Sequence, residues 1–156
     1  MPPLIDLPET LRPLFLAAGW PATHTEPLPD FVPPWHPATA LLQQLAGLQV
    51  GTCDTGEECA TSDVVFGTFE HLHGDDDFLA WQQRLGSTLV SIAEVHHGHG
   101  ALLMDEQGRC YVLSIIHDGF WLQGRTFAQA VETLVFGRKA GAQVALATPG
   151  AVPVIS

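Results

Sequence analysis

Three groups of residues in this chain are of types that could do chemistry. The first is histidine: His71 and His73 sit two apart, and so do His97 and His99. In extended backbone such pairs project onto one face. Either could then hold zinc or another transition metal, with a carboxylate from Asp75–Asp77 or from Glu94. Neither pair has an established ligand spacing, and a turn such as His96-His97-Gly98-His99-Gly100 tolerates exposed polar residues without any ligand. No metal and no other cofactor is assigned. The second group is the thiols. Cys53 and Cys59 have five residues between them, where a zinc finger has two to four. The acids around them would raise a thiol's pKa, which argues against a reactive nucleophile. Cys110, beside Tyr111, reads as core. The third group is Asp75-Asp76-Asp77, which could offer paired carboxylates for acid–base work. Adjacent acids just ahead of an apolar helical face read instead as the start of a helix. Nucleophile elbow, phosphate loop and dinucleotide fingerprint are missing, and there is one lysine to hold phosphates. No nucleophile, base and oxyanion donor are nominated together, so no catalytic residue is expected and the chain is not expected to be an enzyme.

The elements that must position these residues follow from periodicity. Leu11, Leu14, Phe15 and Ala18 have the spacing of one helix face, with Thr10 as the expected N-cap, Pro13 in the first turn and Gly19 as the stop. Trp20 to Pro37 is broken by Pro21, Pro27, Pro29, Pro33 and Pro34, and reads as an extended surface connection with room for one short edge strand. A second helix starts at Pro37, with Ala38, Leu41, Leu42 and Leu45 as its apolar face and Gly47 as its end. Leu48-Gln49-Val50 is a short strand, Gly51–Asp63 an acidic loop and Val64–Phe69 a strand. Phe78, Trp81 and Leu85 mark a short helix closed by Gly86.

Thr88–Val95 and Ala101–Met104 are expected strands. Asp105-Glu106-Gln107-Gly108 has the residue chemistry of a type I turn, and Arg109–Ile116 returns as its partner. Thr126 and Gln129 form a capping box for a last helix with Phe127, Ala130, Val131 and Leu134 buried, ending at Gly137, Arg138 and Lys139. Consecutive strands joined by tight turns predict an α+β fold: a mainly antiparallel β-meander with helices packed on one face. One domain over 1–139 and a C-terminal tail over 140–156 are expected.

Charge narrows the function. The formal net charge is −11, and between Arg12 and Arg84 there is no Lys or Arg while ten acids accumulate, among them Asp54, Glu57, Glu58, Asp75, Asp76 and Asp77. A negative surface repels phosphates, so nucleic acid is not an expected partner; it attracts a basic protein surface and speeds the encounter with it. Acidity also serves solubility alone. No apolar run approaches the roughly 20 residues of a membrane span, and the N-terminus lacks a secretory pattern. With an odd number of cysteines as well, the expected location is the cytoplasm.

Several stretches together resemble a known family: Ala17-Ala18-Gly19-Trp20, Leu41 to Val50, Leu85-Gly86 followed by Leu89, Ile92, Glu94 and Val95, then Gly98-His99-Gly100, Leu102 to Arg109, Tyr111-Val112-Leu113, and Gly124-Arg125-Thr126-Phe127 through Arg138. In this order, over roughly Leu11 to Lys139, the chain resembles the third group of SUKH-superfamily bacterial immunity proteins. That resemblance implies an α+β domain that binds and neutralises a cognate toxin, often a nuclease or deaminase. It implies no catalytic residues; the shared positions look structural. The Pro-Pro-Trp-His-Pro stretch, the histidine content and the tail depart from the pattern. The expected partner is then a toxin with a basic surface. The candidate contacts are Asp54, Glu57, Glu58, Asp75, Asp76, Asp77 and Trp35, and Trp81 is expected in the core. The alternatives are a general protein-interaction module without a toxin and a histidine-based metal enzyme. Oligomeric state is left open.

Overall fold

The structure, a computed structural model, describes residues 5–21, 28–57, 59–114 and 119–138, with the side chain of His71 also outside the description. Helix α1 (Arg12–Ala18) buries Phe15, carries Pro13 in its first turn and ends on Gly19 at φ 110°, a left-handed conformation that glycine adopts without a Cβ penalty. Its start differs from expectation. Leu11, not Thr10, holds the cap position, because the carbonyl of Pro8 accepts from the N–H groups of Leu11 and Arg12. The Thr10 hydroxyl donates instead to Glu132 (2.7 Å), on the last helix.

Helix α2 (Ala38–Leu45) buries Ala38, Leu41, Leu42 and Leu45 as expected, with Pro37 at its N-cap. The described residues of the connection before it, 20–21 and 28–37, depart from the expected extended surface segment. They form a series of turns, Val32 N–H to Pro29 and His36 N–H to Pro33, and bury Trp20, Val32 and His36. The His36 ring is satisfied at both nitrogens: Nδ1 accepts from Ala38 N–H (3.1 Å), so Nε2–H donates to the Thr88 carbonyl (2.8 Å).

Strands β1 (Gln49–Val50) and β2 (Val64–Phe66) are followed by a helix the sequence did not announce, α3 (Glu70–His73). It shortens the expected strand, since Phe69 becomes its N-cap and donates its N–H to the Ser91 hydroxyl (3.0 Å). Helix α4 (Asp76–Leu85) is capped by Asp75, whose carboxylate accepts from Asp77 N–H (2.9 Å) and Phe78 N–H (3.3 Å). Strands β3 (Val90–Val95), β4 (Gly100–Met104), β5 (Cys110–Ser114) and β6 (Phe120–Gly124) complete an antiparallel six-stranded sheet in sequential order. Helix α5 (Phe127–Phe136) has the expected box: the Thr126 hydroxyl accepts from Gln129 N–H, and the Gln129 side chain reaches back one residue further, to Arg125 N–H.

The α+β class and the antiparallel meander are as the sequence indicated, and α1, α2 and α5 gather on one face. There Leu102, Met104, Cys110 and Val112 join their core. The alternate residues of β4 and β5, Ala101, Leu103, Tyr111 and Leu113, point the other way and pack with Leu72 of α3 and Phe78 and Trp81 of α4. The α3–α4 pair thus covers the second face. Trp81 stacks on Phe120 at 4.2 Å, a core residue as expected. The tail from 140 onwards lies outside the described residues.

Two polar devices hold this packing. Asp105 is fully buried at the β4–β5 turn; its carboxylate accepts from Gln107 N–H, Arg109 N–H, Arg109 Nε (2.7 Å) and Tyr111 OH (3.1 Å). His73 lies between the rings of Phe31 (4.2 Å) and Phe78 (4.5 Å), and its Nε2 accepts from Ser91 N–H (3.3 Å). Residues 70–73 are helical, so the extended backbone that the His71–His73 pair required is not present.

Replacing Asp105 by Ala should lower the unfolding free energy by about 3 kcal/mol, because it strands the buried Tyr111 hydroxyl and two turn N–H groups. A urea titration measures this, and a loss below about 1 kcal/mol would mean that water substitutes for the carboxylate. A second expectation concerns pH. Burial, and then the neighbouring His36, pull the His73 pKa down to about 4 from 6.5. The unfolded chain therefore binds the extra proton first as pH falls. The stabilising contribution of neutral His73 is complete above pH 6.5 and is lost as pH falls toward 4. His36, also lowered by burial, acts in the same direction. Melting temperatures of His73→Gln, which keeps an acceptor but does not titrate, should fall less steeply over this window than those of the native chain.

Candidate functional site

The acids singled out by sequence divide by location. Asp54 and Glu57 are exposed on the loop between β1 and β2, and Glu58 lies outside the described residues. This loop is not loose. Glu57 N–H, Cys59 N–H and Ser62 N–H donate to Phe136, Gly137 and Leu134 at the end of α5 (2.9, 2.8 and 2.8 Å). Gly56 lies against Gly137 so closely that a Cβ on either would meet the other's backbone. The carboxylate of Glu57 pairs with Arg138 at 3.1 Å, so part of its charge is already answered; Asp54 accepts from the N–H of Thr55.

Asp75, Asp76 and Asp77 are exposed at the start of α4, over the opposite face of the sheet. Asp75 is engaged as the cap, while Asp76 and Asp77 sit in the first turn near the positive end of the helix dipole. The outward side of α4 continues with Leu79, 44% exposed, and Gln83. Trp35 is 63% exposed with its ring 5.7 Å from that of His36. His36 is in turn an electrostatic neighbour of His73 at the end of α3, two residues before Asp75. Phe31, on the same turn segment as Trp35, packs on His73 (4.2 Å), so that segment adjoins the α3–α4 pair, while the Asp54–Glu57 loop is held at the end of α5.

A second grouping escaped the sequence reading. Cys53, Asp63 and His97 each offer one ligand atom, and these atoms lie within 4.8 Å of one another. Asp63 is the member that was missed. It is buried just before β2, and the pairing of Val64 with Val95 places it beside the β3–β4 turn. His96 and His97 both take left-handed backbone conformations there (φ 52° and 56°), which cost on the order of 1 kcal/mol for residues other than glycine. The conformation is held from outside: His96 N–H donates to the Ser62 hydroxyl (2.8 Å) and His97 N–H to Asp63 Oδ1 (2.9 Å). Burial lowers the pKa of His96, opposed by the nearby Asp63 carboxylate. His97 and His99 lie in this tight turn rather than in extended backbone, so their spacing does not make them a pair. Spacing along the chain carried no hint of Asp63; only the β2–β3 register does.

The remaining thiols are held by backbone carbonyls. Cys110 is fully buried, its thiol pKa pushed up by that burial, and it donates toward the Gly108 carbonyl. Cys59 turns its thiol to the Arg138 carbonyl (3.5 Å). Among the described residues no helix is long and apolar enough to cross a membrane.

Comparison with known proteins gives one result. The family model described as SUKH-3 immunity protein matches residues 17–137. No curated protein matches the chain, and no solved structure does. The matched span runs from the end of α1 to the glycine that closes α5, and so contains the entire sheet. With most of its length accounted for in this way, the chain belongs to the SUKH-3 immunity protein family.

Proposed function

We propose that this protein neutralises a cognate toxin, most simply a nucleic-acid-acting one, by docking an acidic surface on the toxin's basic substrate-binding face. It performs no reaction itself. Family membership supports the immunity role. The observation that carries the electrostatic part is the ten-acid stretch between Arg12 and Arg84 that contains no lysine or arginine. Toxins that grip phosphates are basic where they do so, and a negative surface both steers the encounter and covers that site.

Of the two acidic regions, the start of α4 is the proposed contact. Asp76 and Asp77 are exposed beside Leu79, and the exposed Trp35, on the turn segment that packs Phe31 against His73, is the proposed aromatic anchor. An exposed tryptophan bordered by charges has the make-up of an interface centre with a polar rim. Asp54 and Glu57, on the other region, and Glu58, next to Glu57 in the chain, are proposed to add long-range attraction. A cytoplasmic location, where a toxin that attacks nucleic acid would act, goes with this reading.

The test is binding of the toxin domain encoded in the neighbouring reading frame. Association should slow as salt rises, and Asp76→Asn with Asp77→Asn should lower the on-rate several-fold at low salt. Trp35→Ala should weaken the complex by about tenfold or more, chiefly through faster dissociation. Stopped-flow and surface-based kinetics read these effects, and co-expression with the toxin reads protection of a susceptible cell. An on-rate indifferent to ionic strength would sink the electrostatic mechanism, and failure to protect would sink the immunity reading.

A further inference from the structure

We propose that Cys53, Asp63 and His97 form a binding site for a divalent transition metal ion of the zinc class. The donor set is one thiol, one imidazole and one carboxylate, the mixture that zinc accepts and that magnesium and calcium do not favour. Around a tetrahedral zinc with ordinary bond lengths, neighbouring donors stand roughly 3.4–3.6 Å apart. His97 Nδ1 and Asp63 Oδ2 are already 3.8 Å apart, and all three donor atoms lie within 4.8 Å of one another. The approach still required is about an ångström. It falls on Cys53 and His97, whose side chains are exposed, and not on the buried Asp63.

The surroundings divide the carboxylate's work. Asp63 Oδ1 accepts the N–H of His97 (2.9 Å) and the thiol of Cys53 (3.5 Å). Oδ2 accepts no hydrogen bond among the described residues and faces the imidazole. One oxygen thus fixes the turn, and the other is left for an ion. The left-handed backbone at His96 and His97, held by Ser62 and Asp63, is what turns the His97 ring toward this point. On ligation the Cys53 thiol gives its proton to solvent and its sulfur bonds the metal. Three protein ligands leave a fourth, solvent-facing position for water. Such an ion would tie the acidic loop to the β3–β4 turn, and the inference stands independently of any toxin.

The experiment uses the full chain, reduced and without a polyhistidine tag, titrated with Co²⁺ as a spectroscopic probe and with Zn²⁺ in competition. One Co²⁺ per chain should bind, with a thiolate-to-cobalt charge-transfer band in the near ultraviolet that Zn²⁺ abolishes. Cys53→Ser should remove the band. His97→Asn, chosen because asparagine tolerates the left-handed backbone, should weaken Co²⁺ binding by at least about tenfold. Cys59→Ser should leave the titration unchanged. The proposal fails if the folded native chain gives no band, if the band survives Cys53→Ser, or if Cys59→Ser removes it. Because Cys53 is exposed on a loop, its serine variant carries the test even if His97→Asn is unfolded by circular dichroism.

Discussion

The sheet of this protein is buried on both faces along its central strands, and most of the polar architecture answers that constraint. The tips of the hairpin turns between these strands are exposed, but Asp105 and Asp63 beside them are buried, and a buried carboxylate must find donors. Each of the two central hairpin turns is therefore closed by a buried carboxylate. Asp105 collects the N–H groups of the β4–β5 turn together with Arg109 and Tyr111. Asp63, with Ser62 beside it, collects those of the β3–β4 turn. One aspartate is local to its turn, and the other arrives from the preceding strand. The second arrangement brings the acidic loop into contact with the meander, and with it Cys53.

Charge counted along the chain therefore overstates what is offered to a partner. Of the aspartates in the acidic stretch, Asp63 is consumed by the β3–β4 turn and Asp75 by the start of α4. Glu57 is answered by Arg138. Asp30, Asp54, Glu70, Asp76 and Asp77 remain exposed, with no ion pair among the described residues. The Asp54 carboxylate accepts from the N–H of Thr55, next to it in the chain, and its backbone carbonyl from Thr61. Two groups of acids that are neighbours in sequence also end on different faces of the sheet, so the net charge is a property of the molecule and not of one patch.

What could be read from the sequence was what local chemistry decides. Gly19, Gly86 and Gly137 end helices in left-handed conformations, Asp75 and Thr126 begin them, and Asp105 sets its turn. Misreadings arose where a distant partner decided. Thr10 has the side chain of a cap but is drawn to Glu132, far away in the chain. His73 becomes helical and half-buried because Phe31, Phe78 and Ser91 supply a pocket for a neutral ring. The unbroken apolar runs of Ala101–Met104 and Cys110–Leu113 did carry the mark of two-sided burial, since a strand with one wet face alternates. The Cys53–Asp63–His97 grouping had no mark at all: its members are 10 and 34 residues apart, and strand register alone unites them.

The same constraint bears on how a binding protein of this kind can work. A docking surface made of exposed side chains on α4 and the Trp35 turn rests on elements whose inner faces are fixed by Phe78, Trp81 and His36. Little backbone would have to be ordered when a partner arrives, so less of the interaction free energy is spent on freezing the surface. The outward residues Asp76, Asp77, Leu79 and Gln83 share no core contact with the inward ones, although they alternate with them along one helix. Changing the outer set alters the electrostatics and shape presented to a partner while the two-sided core stays intact. That separation leaves the outer surface of α4 open to substitution without disturbing the core beneath it.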